Sequence, residues 1–509
     1  MKSAITLTAA ACALALNTSV ADAWTMGVLT DTQGAGQYPL VSTRLMDPVV
    51  DRFVNHHQID MLMSVGDLSD RGTQAEFDLW NQHAAPLYDA NIPMYIARGN
   101  HDVKTESEIP AIDPLFGPVT LRGTELWDAN IQVPANPTVT PGPGASYTFA
   151  YENTFFINID VYGTAPSELI GWLTQVALPT AALSGAEHKF LFQHEPWFGK
   201  ARSGILAADP ATELELLTGI AQAGVSTIFV GHDHQYSRSV ALDPSGDVLL
   251  NHIVTGSNAE KYYRLEEAPG PNEGQGIQIN DRVGYSIVEI DGPLVSFTHY
   301  DSFAPSPLDT EPWTPEWTVA DRFTFASNGD QFFVEADASF AGLGSTSPNG
   351  TVATILDGIN ETYETLTTDP DPGETPQTFT LGQIVNFAWI DATDETLSDI
   401  LVLNGLADEA NGIAADAYTL QLSYDDTNVS DETALIIAFL DEATGQWIPA
   451  IDGNLGDADS AAAYTIDTDA NTISVTLDHN APGTRFAVVP EPATALLALT
   501  GLAALARRR

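Results

Sequence analysis

The chain has 509 residues, 44% of them hydrophobic, and a formal charge of -49 from 19 Lys and Arg against 68 Asp and Glu. That apolar share excludes a disordered chain, and the length exceeds one core of roughly 100–200 residues, so two or three domains are expected. The acidity excludes nucleic acid as a partner through bulk charge, and anionic lipid with it, so any anionic ligand must be held by local cations.

Residues 1–23 read as a secretory signal peptide: Lys2, an apolar Ala4 to Leu16, and an Ala21-Asp22-Ala23 cleavage site before Trp24. The only cysteine, Cys12, lies inside it. Cleavage after Ala23 removes every thiol, which excludes thiolate ligands and cysteine nucleophiles.

From Trp24 to Asp301 strand-like and helix-like stretches alternate. Strands are expected over Thr25–Leu29, Met61–Val65, Met94–Ala97, Phe190–Gln193 and Thr227–Val230. Helices are expected over Val41–His57, with Leu45, Val49, Val50 and Phe53 at helical spacing, and over Thr73–Ala90, with Phe77, Trp80 and Leu87 near one face. The alternation implies an α/β layered domain over 24–301. Prolines at 134, 137, 141 and 143 mark 103–146 as a long surface insertion, a lid over the site. Glu266 to Asn280 reads as a second Gly/Pro-rich loop, and 302–326 as a linker at the domain end.

Beyond Ser327 the composition changes, and Arg485 is the only Lys or Arg up to Val489. Alternating segments (Gln331–Val334, Tyr418–Tyr424, Ala434–Leu440, Ile473–Leu477, Arg485–Val489) predict an acidic all-β, sandwich-like domain over 327–488. The Asp467-Thr468-Asp469-Ala470-Asn471 stretch has Thr472 where a Ca²⁺ loop needs Gly, so a solvated turn is expected.

Each of Asp31, Asp67, Asn100-His101, His194 and His232-Asp233-His234 follows an apolar strand run. In open α/β sheets sites form at the carboxyl ends of strands, so these residues should converge. Singly, each has a structural explanation, a helix cap or a hydrogen-bonded histidine. In this order, the set fits two cations of Mn, Fe or Zn bridged by one carboxylate at about 3.5–4 Å, with a bridging hydroxide as nucleophile.

Asp31-Thr32-Gln33, Gly66-Asp67-Leu68-Ser69-Asp70, Gly99-Asn100-His101-Asp102, His194 and Gly231-His232-Asp233-His234 resemble, in order, the motifs of the calcineurin-like metallophosphoesterase superfamily. The resemblance covers Trp24 to about Asp301 and implies a four-layer αββα sandwich with the site at one edge. It implies a metal-dependent phosphoric ester hydrolase with two divalent or trivalent metal ions. Asp31 and His234 would hold the first metal, Asp67 would bridge, and Asn100, His194 and His232 would hold the second. His101 would be the outer acid, oriented by Asp70, with Arg71 contacting phosphate. Arg71 favours grip on a terminal phosphate, hence a phosphomonoesterase over a phosphodiesterase.

Gln33 departs from the family, many members of which have His there. It could ligate through its amide oxygen, hydrogen-bond the bridging water, or leave a position open, and the first metal would be the less secure. Segments around His194-Glu195-Pro196-Trp197-Phe198, His232 to Ser239 and Val254-Thr255-Gly256-Ser257 resemble purple acid phosphatases. They make His252 a candidate for the substrate pocket, with Tyr236 and Arg238 as packing supports.

The C-terminus, Val489-Pro490-Glu491-Pro492, apolar Ala493–Ala506 and Arg507-Arg508-Arg509, resembles the PEP-CTERM sorting signal over 489–509. That signal implies cleavage by an exosortase-type enzyme and export to the cell surface, outer membrane or extracellular matrix of a Gram-negative bacterium. A competing reading follows: a surface or matrix binding protein with a weak site. In a third, the β domain holds extracellular polysaccharide near an active enzyme.

Overall fold

Alternation along the first strands sets the layering. In β1 (Trp24–Leu29), Met26 and Val28 turn to one face and Leu29 to the other. In β2 (Met61–Ser64) and β3 (Met94–Ile96), Met61, Met63 and Tyr95 share the first face, and Leu62, Met94 and Ile96 the second. A strand apolar on both faces must be covered on both. The second face is covered by α1 (Thr43–Asp51), which runs on as a π-helical segment Arg52–His57, and by α2 (Gln74–Asp89).

The computed structural model describes residues 23–34, 41–103, 127–128, 130–162, 164–199, 210–258, 261–303, 313–361, 363–370, 372–406, 417–427, 429–453, 464–477 and 484–490. The expected signal peptide up to residue 22, most of the expected lid (104–126) and the sorting tail from 491 lie outside these residues.

The next strands are β4 (Thr140–Pro141), β5 (Tyr147–Tyr151), β6 (Thr154–Ile159), β7 (His188–Gln193), β8 (Thr227–Val230), β9 (Tyr236–Leu242), β10 (Val248–Thr255) and β11 (Glu273–Ile279). They form one eight-stranded sheet in the order β11-β9-β10-β8-β7-β6-β5-β4, in which β10, β8, β7 and β6 run parallel. Its Phe156, Phe190, Phe192 and Phe229 meet the first sheet, while Ile157, Leu191 and Ile228 meet helices Pro166–Trp172 and Pro210–Gln222. The order helices, sheet, sheet, helices is the expected four-layer αββα sandwich.

The first sheet, β14-β13-β12-β1-β2-β3, is completed by β12 (Arg282–Asp291), β13 (Leu294–Phe303) and β14 (Thr318–Ala326). This corrects the expected linker over 302–326. Thr318–Ala326 is an edge strand of the catalytic sheet, paired antiparallel with β13 and fastened by Asp321, which accepts from Tyr236 at 2.6 Å and from Arg238 Nε at 2.7 Å. Glu266 to Asn280 is likewise not all loop, since β11 lies within it.

The C-terminal domain is two facing β-sheets and a two-stranded ribbon, Thr365–Thr367 paired with Thr378–Thr380. Six strands, from β15 (Asp330–Val334) to Thr484–Pro490, face five that include Val352–Gly358, Tyr418–Ser423 and Thr472–Leu477. Phe387, Trp389, Leu401 and Val488 of one sheet bury against Ile355, Leu420, Leu422 and Val475 of the other. Val489 and Pro490 pair with Ile436 and Leu435, so the sandwich includes the first two residues of the expected tail. Asp467 closes a hairpin by accepting from the N–H groups of Asp469 and Ala470, the expected turn.

The two domains are packed together. Leu294 buries against Ala388 and Val402, and Asn404 Nδ2 donates to the Thr324 carbonyl at 2.9 Å. The glycines of β11 make this contact close. A β-carbon at Gly274 would lie 2.6 Å from the Phe333 ring, and one at Gly276 2.7 Å from Ile384 Cδ1. Such close approach is one reason for glycine inside a strand. Among the described residues no helix is long and apolar enough to cross a membrane.

Candidate metal centre

The site forms where β1, β2, β3, β7 and β8 end. Asp31, Asp67, His232 and His234 all have left-handed backbone, with φ of 50°, 53°, 69° and 50°. Non-glycine residues there cost about 1–3 kcal/mol each and persist only when their surroundings hold them. Here Asp31 N–H donates to the Gly66 carbonyl at 3.0 Å, His101 N–H to Asp67 Oδ1 at 2.9 Å, and His232 N–H to Asp31 Oδ2 at 3.0 Å. Gly99 admits this crossing of loops, because a β-carbon there would collide with the Asp67 side chain and backbone.

Two donor groups result: Asp67 with His194 and His232, and Asp31 with Asp67 and His234, the atoms of each within 4.8 Å of one another. They share Asp67. His194 Nδ1 faces the Val65 carbonyl at 2.8 Å, and His234 Nδ1 the Lys261 carbonyl at 2.7 Å. Donation to a carbonyl fixes the tautomer and turns the Nε2 lone pair inward. His194 Nε2 then lies 3.2 Å from Asp67 Oδ2, and His234 Nε2 3.4 Å from Asp31 Oδ1. His232 Nδ1 lies 3.1 Å from Asn100 Oδ1.

Burial, with Asp67 alongside, pushes Asp31 up to about 6. Burial opposes charge on Asp67 and His194 too, but each imposes charge on the other: Asp67 sits well below the carboxylate range and His194 is raised to about 10. Two buried carboxylates this close together are costly unless positive charge offsets both. Buried Gln33 Oε1 has no partner among the described residues. Divalent cations fit this donor set: carboxylate and amide oxygens with imidazole nitrogens.

Beside the donors, His101 Nδ1 lies 2.8 Å from the Asp70 carbonyl and 3.2 Å from Asp70 Oδ1. Arg71 Nε is 3.5 Å from Asp70 Oδ2, and the Arg71 side chain is 21% exposed, so it can reach an incoming ligand. The loop is fastened by α2. Thr73 caps that helix in a box with Glu76, and the same Glu76 carboxylate accepts from the N–H groups of Asp70 and Arg71 at 3.1 and 3.0 Å.

Residues 25–236 match the family model described as calcineurin-like phosphoesterase. Their fold is that of metal-dependent phosphoric ester hydrolases, a family that uses a dinuclear metal centre. No curated protein sequence matches the chain. Among solved structures it resembles purple acid phosphatase PPD1 from yellow lupin (Lupinus luteus) seeds, at 14% identity and a TM-score of 0.42 over 60% of this chain and 54% of that one. It resembles GAP50, the anchor in the inner membrane complex of Plasmodium, at 14% and 0.38 over 58% and 90%. A 5'-nucleotidase precursor from Thermus thermophilus follows at 14% and 0.29, over 54% of each chain. The chain thus spans about half the length of the lupin protein.

One residue takes another role than the sequence suggested. His252 is fully buried, and its Nε2 accepts the Trp197 N–H at 3.1 Å. The structure therefore corrects its place from the pocket wall to a support of the His194–Phe198 loop. Arg98, adjoining Gly99, is buried in a two-point ion pair with Asp160 and is structural. Asp102 carries a role that its sequence position did not suggest. Its carboxylate accepts from Ser69 N–H and from Gly99 N–H, tying two ligand loops together, and burial together with Asp67 pushes it up to about 7. The only sequence signal for it was its place directly after Asn100-His101.

Proposed function

We propose that this chain is an exported phosphomonoesterase. The carrying observation is the pair of donor groups sharing Asp67, with Gln33 and Asn100 beside them and His101 and Arg71 alongside. Bound there, two cations of Mn, Fe or Zn supply charge to polarise the phosphoryl group and acidify the attacking water. The residues do the rest. Arg71 holds the terminal phosphate oxygens, a contact a diester would partly block. Asp70 orients His101 through its Nδ1. His101 gives a proton to the leaving oxygen as the ester P–O bond breaks and the water oxygen bonds phosphorus.

Export is supported by the leader-like residues 1–23 and the PEP-CTERM-like residues 489–509, the latter implying an exosortase-type partner. The acidic sandwich would hold the enzyme near extracellular polysaccharide. The test is purified, metal-loaded protein assayed on a panel of phosphomonoesters and diesters. Full activity retained in Asp67→Ala or His232→Ala would refute the enzyme, and faster turnover of diesters would refute the monoester preference.

A second reading, a matrix-binding protein with a weak site, draws on the β-sandwich over 327–488 and on the PEP-CTERM-like tail. Elemental analysis after reconstitution separates the two, since near-zero bound metal would favour the binding protein.

A further inference from the structure

Gln33 is held rigidly at its backbone. Its N–H donates to the Asp67 carbonyl at 3.0 Å, its carbonyl accepts from Ser42 Oγ at 2.9 Å, and it forms a bridge with Val41. The freedom that remains is in the side chain. There Nε2 lies 2.8 Å from Asp67 Oδ2 and 3.0 Å from His234 Nε2. Both neighbours are acceptors, because His234 spends its Nδ1 hydrogen on the Lys261 carbonyl. The two amide hydrogens are therefore matched to two of the three groups assigned to the first cation, while buried Oε1 has no partner among the described residues.

We infer that Gln33 is an exchangeable ligand that makes the first cation position the weaker one and the one less selective for Zn²⁺ over Mn²⁺. With the position empty, the amide NH₂ stands in for the cation by donating to Asp67 and His234. With a cation there, the positive end of the amide dipole is repelled. Rotation about Cγ–Cδ by roughly half a turn then exchanges N for O, bringing the idle oxygen onto the cation. Filling the position thus breaks two hydrogen bonds, and the incoming ligand is a neutral oxygen, weaker than imidazole for borderline ions. The first group becomes two carboxylates, an amide oxygen and one imidazole, against one carboxylate, an amide oxygen and two imidazoles in the second. The margin of Zn²⁺ over Mn²⁺ should therefore be narrower in the first than in the second.

This rests on the dinuclear reading, and the test separates the two. Metal-stripped full-length protein is titrated by equilibrium dialysis with Mn²⁺ and with Zn²⁺, alongside Gln33→His and Gln33→Leu. Wild type should bind two cations in steps that differ by at least about tenfold. Gln33→His should tighten only the weaker step, by about tenfold or more, and more for Zn²⁺ than for Mn²⁺. Gln33→Leu should lose the weaker step and keep the tighter one, which also shows that the variant is folded. Two cations bound with wild-type affinities in Gln33→Leu would overturn the inference and leave the dinuclear centre standing. No uptake by any of the three proteins would overturn both.

Discussion

Trp197 gives its backbone N–H to Nε2 of His252 across 3.1 Å, and this joins the loop after His194 to β10. Phe198 packs edge-on to the same ring at 5.1 Å. In His252→Ala the buried Trp197 N–H would lose its acceptor, at about 1–3 kcal/mol. The expected outcome is a lower urea midpoint together with weaker retention of the cation assigned to His194. Both are read on one preparation, by denaturation and by metal analysis after dialysis. Unchanged values for both would show that the loop holds itself.

Asp67 belongs to both donor groups, and His232 to one. Asp67→Ala should therefore lower bound metal from two ions per chain toward none, and His232→Ala from two toward one. Hydrolysis should fall in both by about a hundredfold or more. Equal metal loss in the two variants would argue against Asp67 as the bridge.

His101 is held at Nδ1 by Asp70, and its Nε2 is the atom that would serve a leaving group. His101→Ala should slow alkyl phosphates by about 10²–10⁴-fold and nitrophenyl phosphate much less, because nitrophenolate leaves without a proton. The ratio of the two rates is the readout. An equal loss on both would assign His101 to charge stabilisation instead.

His299 is buried, stacked on Tyr236 at 3.9 Å between ring centroids, and burial lowers it from 6.5 to about 3. The unfolded chain takes up a proton below pH 6.5 that the folded chain refuses until about pH 3. Stability from this group is therefore complete above the unfolded value and is lost as pH falls between the two, by up to about 1.4 kcal/mol per pH unit. His299→Gln should flatten the plot of unfolding free energy against pH over pH 6 to 4, whatever its own effect at pH 7. An unaltered slope would mean that the ring is charged in the folded protein.

At the junction, Gly274→Ala should force the new methyl against Phe333 and destabilise by about 1–3 kcal/mol. Pairing it with Phe333→Leu should recover part of that loss. Additive losses in the double variant, by thermal unfolding, would show that the two positions do not touch.

The candidate ligands could be picked out because each ends an apolar run. Leu62 and Met63 before Asp67, and Ile228 and Phe229 before His232, leave no other reading than a buried strand opening onto a polar end. β14 was hidden by prolines 305, 307, 312 and 315 just ahead of it, and by Asp321 and Arg322, which look like surface charge. Asp321 is instead buried against Arg238, a partner 83 residues away that only the folded chain brings near. β11 was hidden by glycines whose purpose lies in the other domain. His252 was misplaced because a motif gives the neighbourhood of a side chain and not the side of the loop it faces.

Thr318–Ala326 and Glu273–Ile279 are the last strands of their two sheets at the end where the sandwich sits. Asn404 reaches the Thr324 carbonyl of one, and Gly382 N–H the Gln275 carbonyl of the other. A bare sheet edge is an open row of donors and acceptors, ready to accept a strand from another molecule. A first domain cut loose at Ser327 would bare two such rows together. It should then be a template for cross-chain strand addition, which the attached sandwich covers at Thr324 and Gln275.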